Sequence, residues 1–245
     1  MRRDDDYDYD ARNNRGGTYY ASDRRRGQSV FAGSSSYGGS LSHSGYNALI
    51  GLILLYGFGV NVILVNTCAE LVASIQPLAL IIGYLVLCFT GIAISRKSNN
   101  PIISFVGYNL VVVPIGLVLS VALQGVSETL VFNALITTAG VVLLMLVAST
   151  VYPKVFLSLG RALGITLLIV IIVELILALT GTTTPTFLDV IVALLFCLYI
   201  GYDWAKAQDQ DFTTDNAVDA CVGLYLDIIN LFLRILSLYS RHRDD

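Results

Sequence analysis

From residue 45 onward the chain alternates between long apolar runs and short polar breaks. The runs have the length a helix needs to cross a bilayer, about 17–25 residues. Their pattern predicts spans at 46–66, 76–95, 101–123, 128–150, 159–180, 186–206 and 216–239. The breaks carry turn chemistry: Gln76-Pro77, Ser98-Asn99-Asn100-Pro101, Gln124-Gly125, Tyr152-Pro153-Lys154, and Gly181 through Pro185. Pro114 lies inside the third run beside Gly116. It frees a carbonyl, which a membrane helix tolerates where a neighbouring helix or a cavity satisfies it. No repeat at a fixed period is visible, so an inverted-repeat transporter is not indicated. The expected fold is an all-α membrane protein with seven transmembrane helices. It is organised as a disordered tail over 1–44, a transmembrane domain over 45–240 and a short charged C-terminus over 241–245.

Charge sharpens this picture. Of the 33 charged residues, 13 fall in 1–44, 8 in 45–202 and 12 in 203–245. Eight charges in the 158 residues of the middle segment cannot cover a soluble globule, which excludes an ordinary soluble enzyme. A formal charge of −3 gives no basic footprint for nucleic acid. The tail holds 7 Arg and 6 Asp among Gly, Ser and Tyr, a composition that cannot offset the entropy of ordering. Its early arginines precede no apolar run within the tail, so it does not read as a secretory signal. Tyr7, Tyr9, Tyr19, Tyr20, Tyr37 and the Arg24-Arg25-Arg26 run make the tail a candidate element for binding a protein partner or anionic lipid. Cys68, Cys88, Cys197 and Cys221 are too scattered for a zinc site or a disulfide framework. His43 and His242, both in polar termini, offer no catalytic centre.

The basic residues set the expected orientation. With the N-terminus in the cytoplasm, the inner segments hold the tail's arginines, Arg96, Lys97, Lys154, Arg161 and Lys206, and the three outer loops hold no Lys or Arg. That asymmetry favours a cytoplasmic N-terminus. Arg234, Arg241 and Arg243 are discordant, and leave open whether the seventh helix crosses fully.

Ionisable groups at membrane depth are costly and are therefore candidate sites. Glu70, Glu128 and Asp189 lie near span ends, where interfacial water can reach them. Glu174, in IIVELILALT, is deeper; it is either protonated or lines a cavity, and is a candidate for the ion path. Asp203, in FCLYIGYDWAKAQ, and Asp227, in VGLYLDIINLFL, flank the polar stretch from Asp209 to Asn216. A helical hairpin turning near Asp215 places each aspartate 12 residues from the turn, so at one depth. Two carboxylates so placed cannot both ionise cheaply and would share a proton. Such a pair responds to pH and, fully ionised, binds a cation transiently, since Ca²⁺ favours carboxylate oxygens. The other reading is two independent acids, one water-accessible and one bonded to a neighbouring helix.

At these residues the sequence resembles the Bax inhibitor-1 family, also called the transmembrane Bax inhibitor motif family, in its bacterial form. The likeness rests on YIGYD at 199–203 and LYLDIINLFLRIL at 224–236. The resemblance implies a seventh helix surrounded by the other six, and a pH-sensitive Ca²⁺ leak whose sensor is an aspartate pair, here Asp203 and Asp227. It also implies a latching arginine at the cytoplasmic end of the second helix. In ISRKSNN this is Arg96, with Lys97 the alternative. Some members have a further acid in the second helix; QPLALIIGYLVLCFTGIAI has none, so its part is missing or falls to Glu174. A bacterial cell membrane is the expected location. Lipid, Ca²⁺ and protons are the expected partners, with no cofactor beyond Ca²⁺ as the permeant ion and a monomer expected rather than an oligomer.

Two other readings use the same residues, and a third uses the tail. A proton-coupled Ca²⁺ exchanger needs the same titratable site. An intramembrane aspartyl protease also has a Tyr-Asp in one helix and an aspartate in the next. It requires Gly-Leu-Gly before the second aspartate, however, where this chain has Leu224-Tyr225-Leu226. A non-conducting membrane protein would act through the tail. The expectation is a channel and not an enzyme.

Overall fold

A computed structural model describes residues 40–244. Most of the tail expected over 1–44 lies outside the described residues. Among those described, the chain forms nine helices and no strand: α1 (His43–Thr67), α2 (Ala69–Ala73), α3 (Pro77–Lys97), α4 (Pro101–Ala122), α5 (Glu128–Val151), α6 (Pro153–Ser158), α7 (Gly160–Thr180), α8 (Thr186–Gln208) and α9 (Thr214–Asp244). Seven of them, all but the short α2 and α6, are long and apolar enough to cross a membrane. Each expected span is met by one of these seven. The two short helices occupy polar breaks that read as loops, because a single turn or so carries no readable period.

The helix ends follow from local chemistry. Ser42 accepts the N–H of Gly45 and caps α1, Asn100 accepts that of Ile102 and caps α4, and Ser127 accepts that of Leu130 and caps α5. Pro77, Pro101 and Pro153 stand in the first turns of α3, α4 and α6, where a missing N–H costs nothing. Gly181 ends α7 with φ +67°, a left-handed conformation natural to glycine.

The last helix is the axis of the bundle. More than half of its apolar window is buried, 56%, against 11% for α5 and for α7. It packs against α1, α3, α4, α5 and α8, and its Arg234 reaches Glu174 on α7. α9 therefore touches all six of the other spanning helices. Its span, Thr214–Arg241, is 28 residues. At about 1.5 Å per residue that is ~42 Å, more than the ~30 Å hydrocarbon core, so α9 is long enough to cross fully. Apolar side chains such as Phe89 and Leu179 are exposed on the outer helices, as a lipid-facing surface requires.

Close backbone contact fixes α3 against α4. A Cβ on Gly91 would lie 2.5 Å from the Gly107 carbonyl oxygen, and one on Gly107 2.7 Å from that of Gly91. Small residues at such a crossing are how membrane helices gain packing without a hydrophobic driving force. In the core, Tyr46, Tyr108 and Tyr225 are fully buried, and each hydroxyl has a partner: Asn216 O, Ile53 O and the Asn61 amide respectively.

Candidate functional site

α8 and α9 run antiparallel, joined by residues 209–213. The turn expected at Asp215 is therefore misplaced. Asp215 lies in the first turn of α9, buried, with the Ser104 hydroxyl donating to its Oδ1 at 2.7 Å. Counting from the helix ends, Asp203 is five residues inside α8 and Asp227 thirteen inside α9. The two helices are offset along their axes, and this offset brings the two acids together.

Gly223 marks the contact. A Cβ there would lie 1.9 Å from Asp203 Oδ2, so the Asp203 carboxyl occupies the space a side chain would fill. Gly223 and Asp227 are four residues apart and share one face of α9. The Asp203 carboxyl therefore lies against the face of α9 that carries Asp227, one turn away. Carboxylates have no proton to donate, so a hydrogen bond between two such groups requires a proton on one of them. Asp227 is buried, and its Oδ2 meets no N–H or O–H donor among the described residues.

Asp203 opens on a cavity of about 610 Å³, whose wall includes Arg96, Lys206, Asp219, Gly223 and Leu226. Arg96 and Lys206 thus put two positive charges on the wall of the cavity that Asp203 lines. Arg96 itself is exposed, and no ion pair within 4.0 Å joins it to an acid among the described residues. The close tie between α3 and α9 is instead the neighbouring residue: the Ser95 hydroxyl donates to Asp219 Oδ1. Ser95 with Asp219, and Ser104 with Asp215, fasten the α3–α4 pair to the first two turns of α9. Lys97 is exposed and is not on the cavity wall.

The other acids divide. Glu70 and Glu128 are exposed near helix ends, as expected. Asp189 is not: it is 1% exposed, accepts from Arg234 Nη1 at 2.8 Å and Ser237 Oγ at 3.1 Å, and forms an ion pair with Arg241 Nη2 at 3.2 Å. Its nearness to a span end is overridden by the α9 arginines, which supply partners in place of water. Glu174 pairs with the same Arg234. Asp189 stands 14 residues from Asp203 on α8, ~21 Å at the usual helical rise, so this network lies at the far end of the seam from the acid pair. Among the described residues no cluster of three or more His, Cys, Asp or Glu is placed to hold a metal ion.

A family model described as "Inhibitor of apoptosis-promoting Bax1" matches residues 41–244. The chain belongs to the Bax inhibitor-1 family. Uncharacterized proteins of two Helicobacter pylori strains are 37% identical to it over 90 residues, 36% of this chain and 37% of each relative. A "BI1-like protein" of Arabidopsis thaliana is 40% identical over 85 residues, 34% of this chain and 33% of the relative. The chain thus spans about a third of the length of the curated relatives it matches. In this Bax inhibitor-1 chain, the sequence reading reached Asp203, Asp227 and Arg96 and passed over Asp219, Ser95 and Gly223. A serine and a glycine among apolar residues carry no charge signal. Asp219 was masked by the polar approach to α9. The Asp189–Arg234 contact does have a signal, since Asp227, Arg234 and Arg241 recur at intervals of seven, one face of a helix.

Proposed function

We propose that the protein is a pH-sensitive Ca²⁺ leak channel, gated by a proton shared between Asp203 and Asp227. The observation that carries this reading is the half-buried Asp203 carboxyl seated against Gly223, one turn from the buried Asp227 on the same face of α9, at the edge of a charged cavity. With one proton present the pair holds α8 to α9, and α9 fills the centre of the bundle. A change in protonation removes that hold: an added proton cancels the charge that attracts Arg96 and Lys206, and a lost proton leaves two carboxylates in repulsion. α3 and α9 then separate, and Ca²⁺ passes down its gradient with transient ligation by the two carboxylates. Arg96 acts as an electrostatic latch from the cavity wall.

The cavity faces the cytoplasm of a bacterial cell, with the N-terminus on the same side and the protein in the cell membrane as a monomer. The charge distribution supports this orientation, and the discordant Arg234 and Arg241 are neutralised by Glu174 and Asp189 within the bundle. The tail is left as the element for a protein partner. Proteolysis is disfavoured because the carboxyl of Asp203 already fills the space beside Gly223 where a substrate backbone would approach.

The test is Ca²⁺ flux into proteoliposomes over a pH series, with the native protein beside Asp203→Asn and Asp227→Asn. A pH-dependent flux that flattens in both variants is expected. Unchanged flux and unchanged pH dependence in both variants overturns the reading. Flux that stops when the proton gradient is collapsed assigns the same site to an exchanger instead.

A further inference from the structure

The acid pair is one end of a longer polar seam. Asp189 and Asp203 stand 14 residues apart on α8, and Asp227, Arg234 and Arg241 stand at intervals of seven on α9, so each set runs along one helix face. The two faces meet twice: at Asp203 with Gly223 and Asp227, and at Asp189 with Arg234 and Arg241. At the second meeting Arg234 bridges two helices, with Nη1 on Asp189 and Nη2 on Glu174 of α7. Glu174 and Arg234 are partly open and Asp189 is closed off. Apolar side chains would pack this position at no electrostatic cost, whereas ion pairs at membrane depth are expensive and mark function.

We propose that Arg234, clamped by Glu174 and Asp189, is a second gate, closing the α8–α9 seam at the end opposite the cavity. With Arg234 in place the four charged groups sum to zero and the guanidinium blocks the seam between α7, α8 and α9. When Arg234 swings aside, the carboxylates of Glu174 and Asp189 face the seam and outnumber Arg241, so the opened exit attracts cations and repels anions. This assignment rests on the seam being the cation path. Glu174 then belongs to that path as a partner of the gate.

The test uses the full chain in lipid nanodiscs, with Cys68, Cys88, Cys197 and Cys221 replaced by alanine and a water-soluble thiol reagent as probe. One reporter is Asn230→Cys, one turn from Arg234 on the side of Asp227. The other is Ala220→Cys, on the cavity wall. Arg234→Gln is expected to raise the labelling rate at 230 by about tenfold or more and to leave that at 220 within about twofold, since loss of one partner uncages a buried charge pair. An unchanged rate at 230, or an equal rise at both reporters, overturns the gate, the equal rise reporting general loosening. If Arg234→Gln does not fold, Glu174→Gln releases one of the two clamps and is read in the same way. The leak reading fails separately: a native protein with no Ca²⁺ flux at any pH overturns it and leaves the labelling ratio unaffected.

Discussion

Gly223→Ala isolates the acid pair without touching a charge. The new methyl would lie 1.9 Å from Asp203 Oδ2 and 3.0 Å from its Cγ, against an ordinary contact of 3.4 Å or more. The carboxyl must therefore retreat by about 1.5 Å, the difference between 3.4 and 1.9, which is enough to break any hydrogen bond it makes to Asp227. Two terms oppose each other. Alanine in a helix interior stabilises by up to ~1 kcal/mol relative to glycine. Overpacking costs ~1–3 kcal/mol and an unsatisfied buried acid a further ~1–3 kcal/mol. The second pair of terms wins, giving a net loss of roughly 1–5 kcal/mol, toward the lower end because the carboxyl can swing into the cavity. Thermal unfolding in detergent reads this as a lowered midpoint, and flux in proteoliposomes reads it as a weakened pH response. An alanine variant as stable as the native protein, with an unaltered pH profile, refutes the placement of Asp203 against Gly223.

Two further perturbations address the rest of the bundle. Ser95→Ala removes the donor to Asp219 and loosens α3 from α9; a loss of ~1–2 kcal/mol in thermal unfolding is expected, at the lower end because water from the cavity can reach Asp219. No change in stability would show that the tie carries no load. Tyr225→Phe deletes the hydroxyl that Asn61 Nδ2 donates to at 2.6 Å, and since Asn61 Oδ1 already has no donor, both ends of a buried amide are then unpartnered. A loss of ~1–3 kcal/mol is expected, recovered in large part by the double change Asn61→Leu with Tyr225→Phe; an equally destabilised double variant contradicts the assignment.

Hydropathy made the seven spans legible because each must bury its own backbone in lipid, and Pro and Gly punctuate their ends. The motif residues around Asp203 and Asp227 pointed to the pair. The depth count put Asp203 and Asp227 side by side through a turn at Asp215 that the structure does not have: Asp215 looks like a loop residue, but it is buried in the first turn of α9 with the Ser104 hydroxyl donating to it. Asp189 shows the same limit. Its position near a span end suggested water, and the seven-residue spacing of Asp227, Arg234 and Arg241 does not say which acid those arginines meet; their approach in three dimensions seals Asp189. Register between helices is set by close backbone approaches, Gly91 on Gly107 and Asp203 on Gly223, which a single sequence does not display.

The central claim is that one proton at the acid pair sets the Ca²⁺ leak. It is tested most directly by Ca²⁺ flux through native protein and Asp227→Asn in proteoliposomes, with pH stepped equally on both sides so that no proton gradient exists. The account predicts native flux that varies with pH and scales with the Ca²⁺ gradient, and a variant whose flux no longer follows pH. A variant that keeps the native pH profile would contradict it.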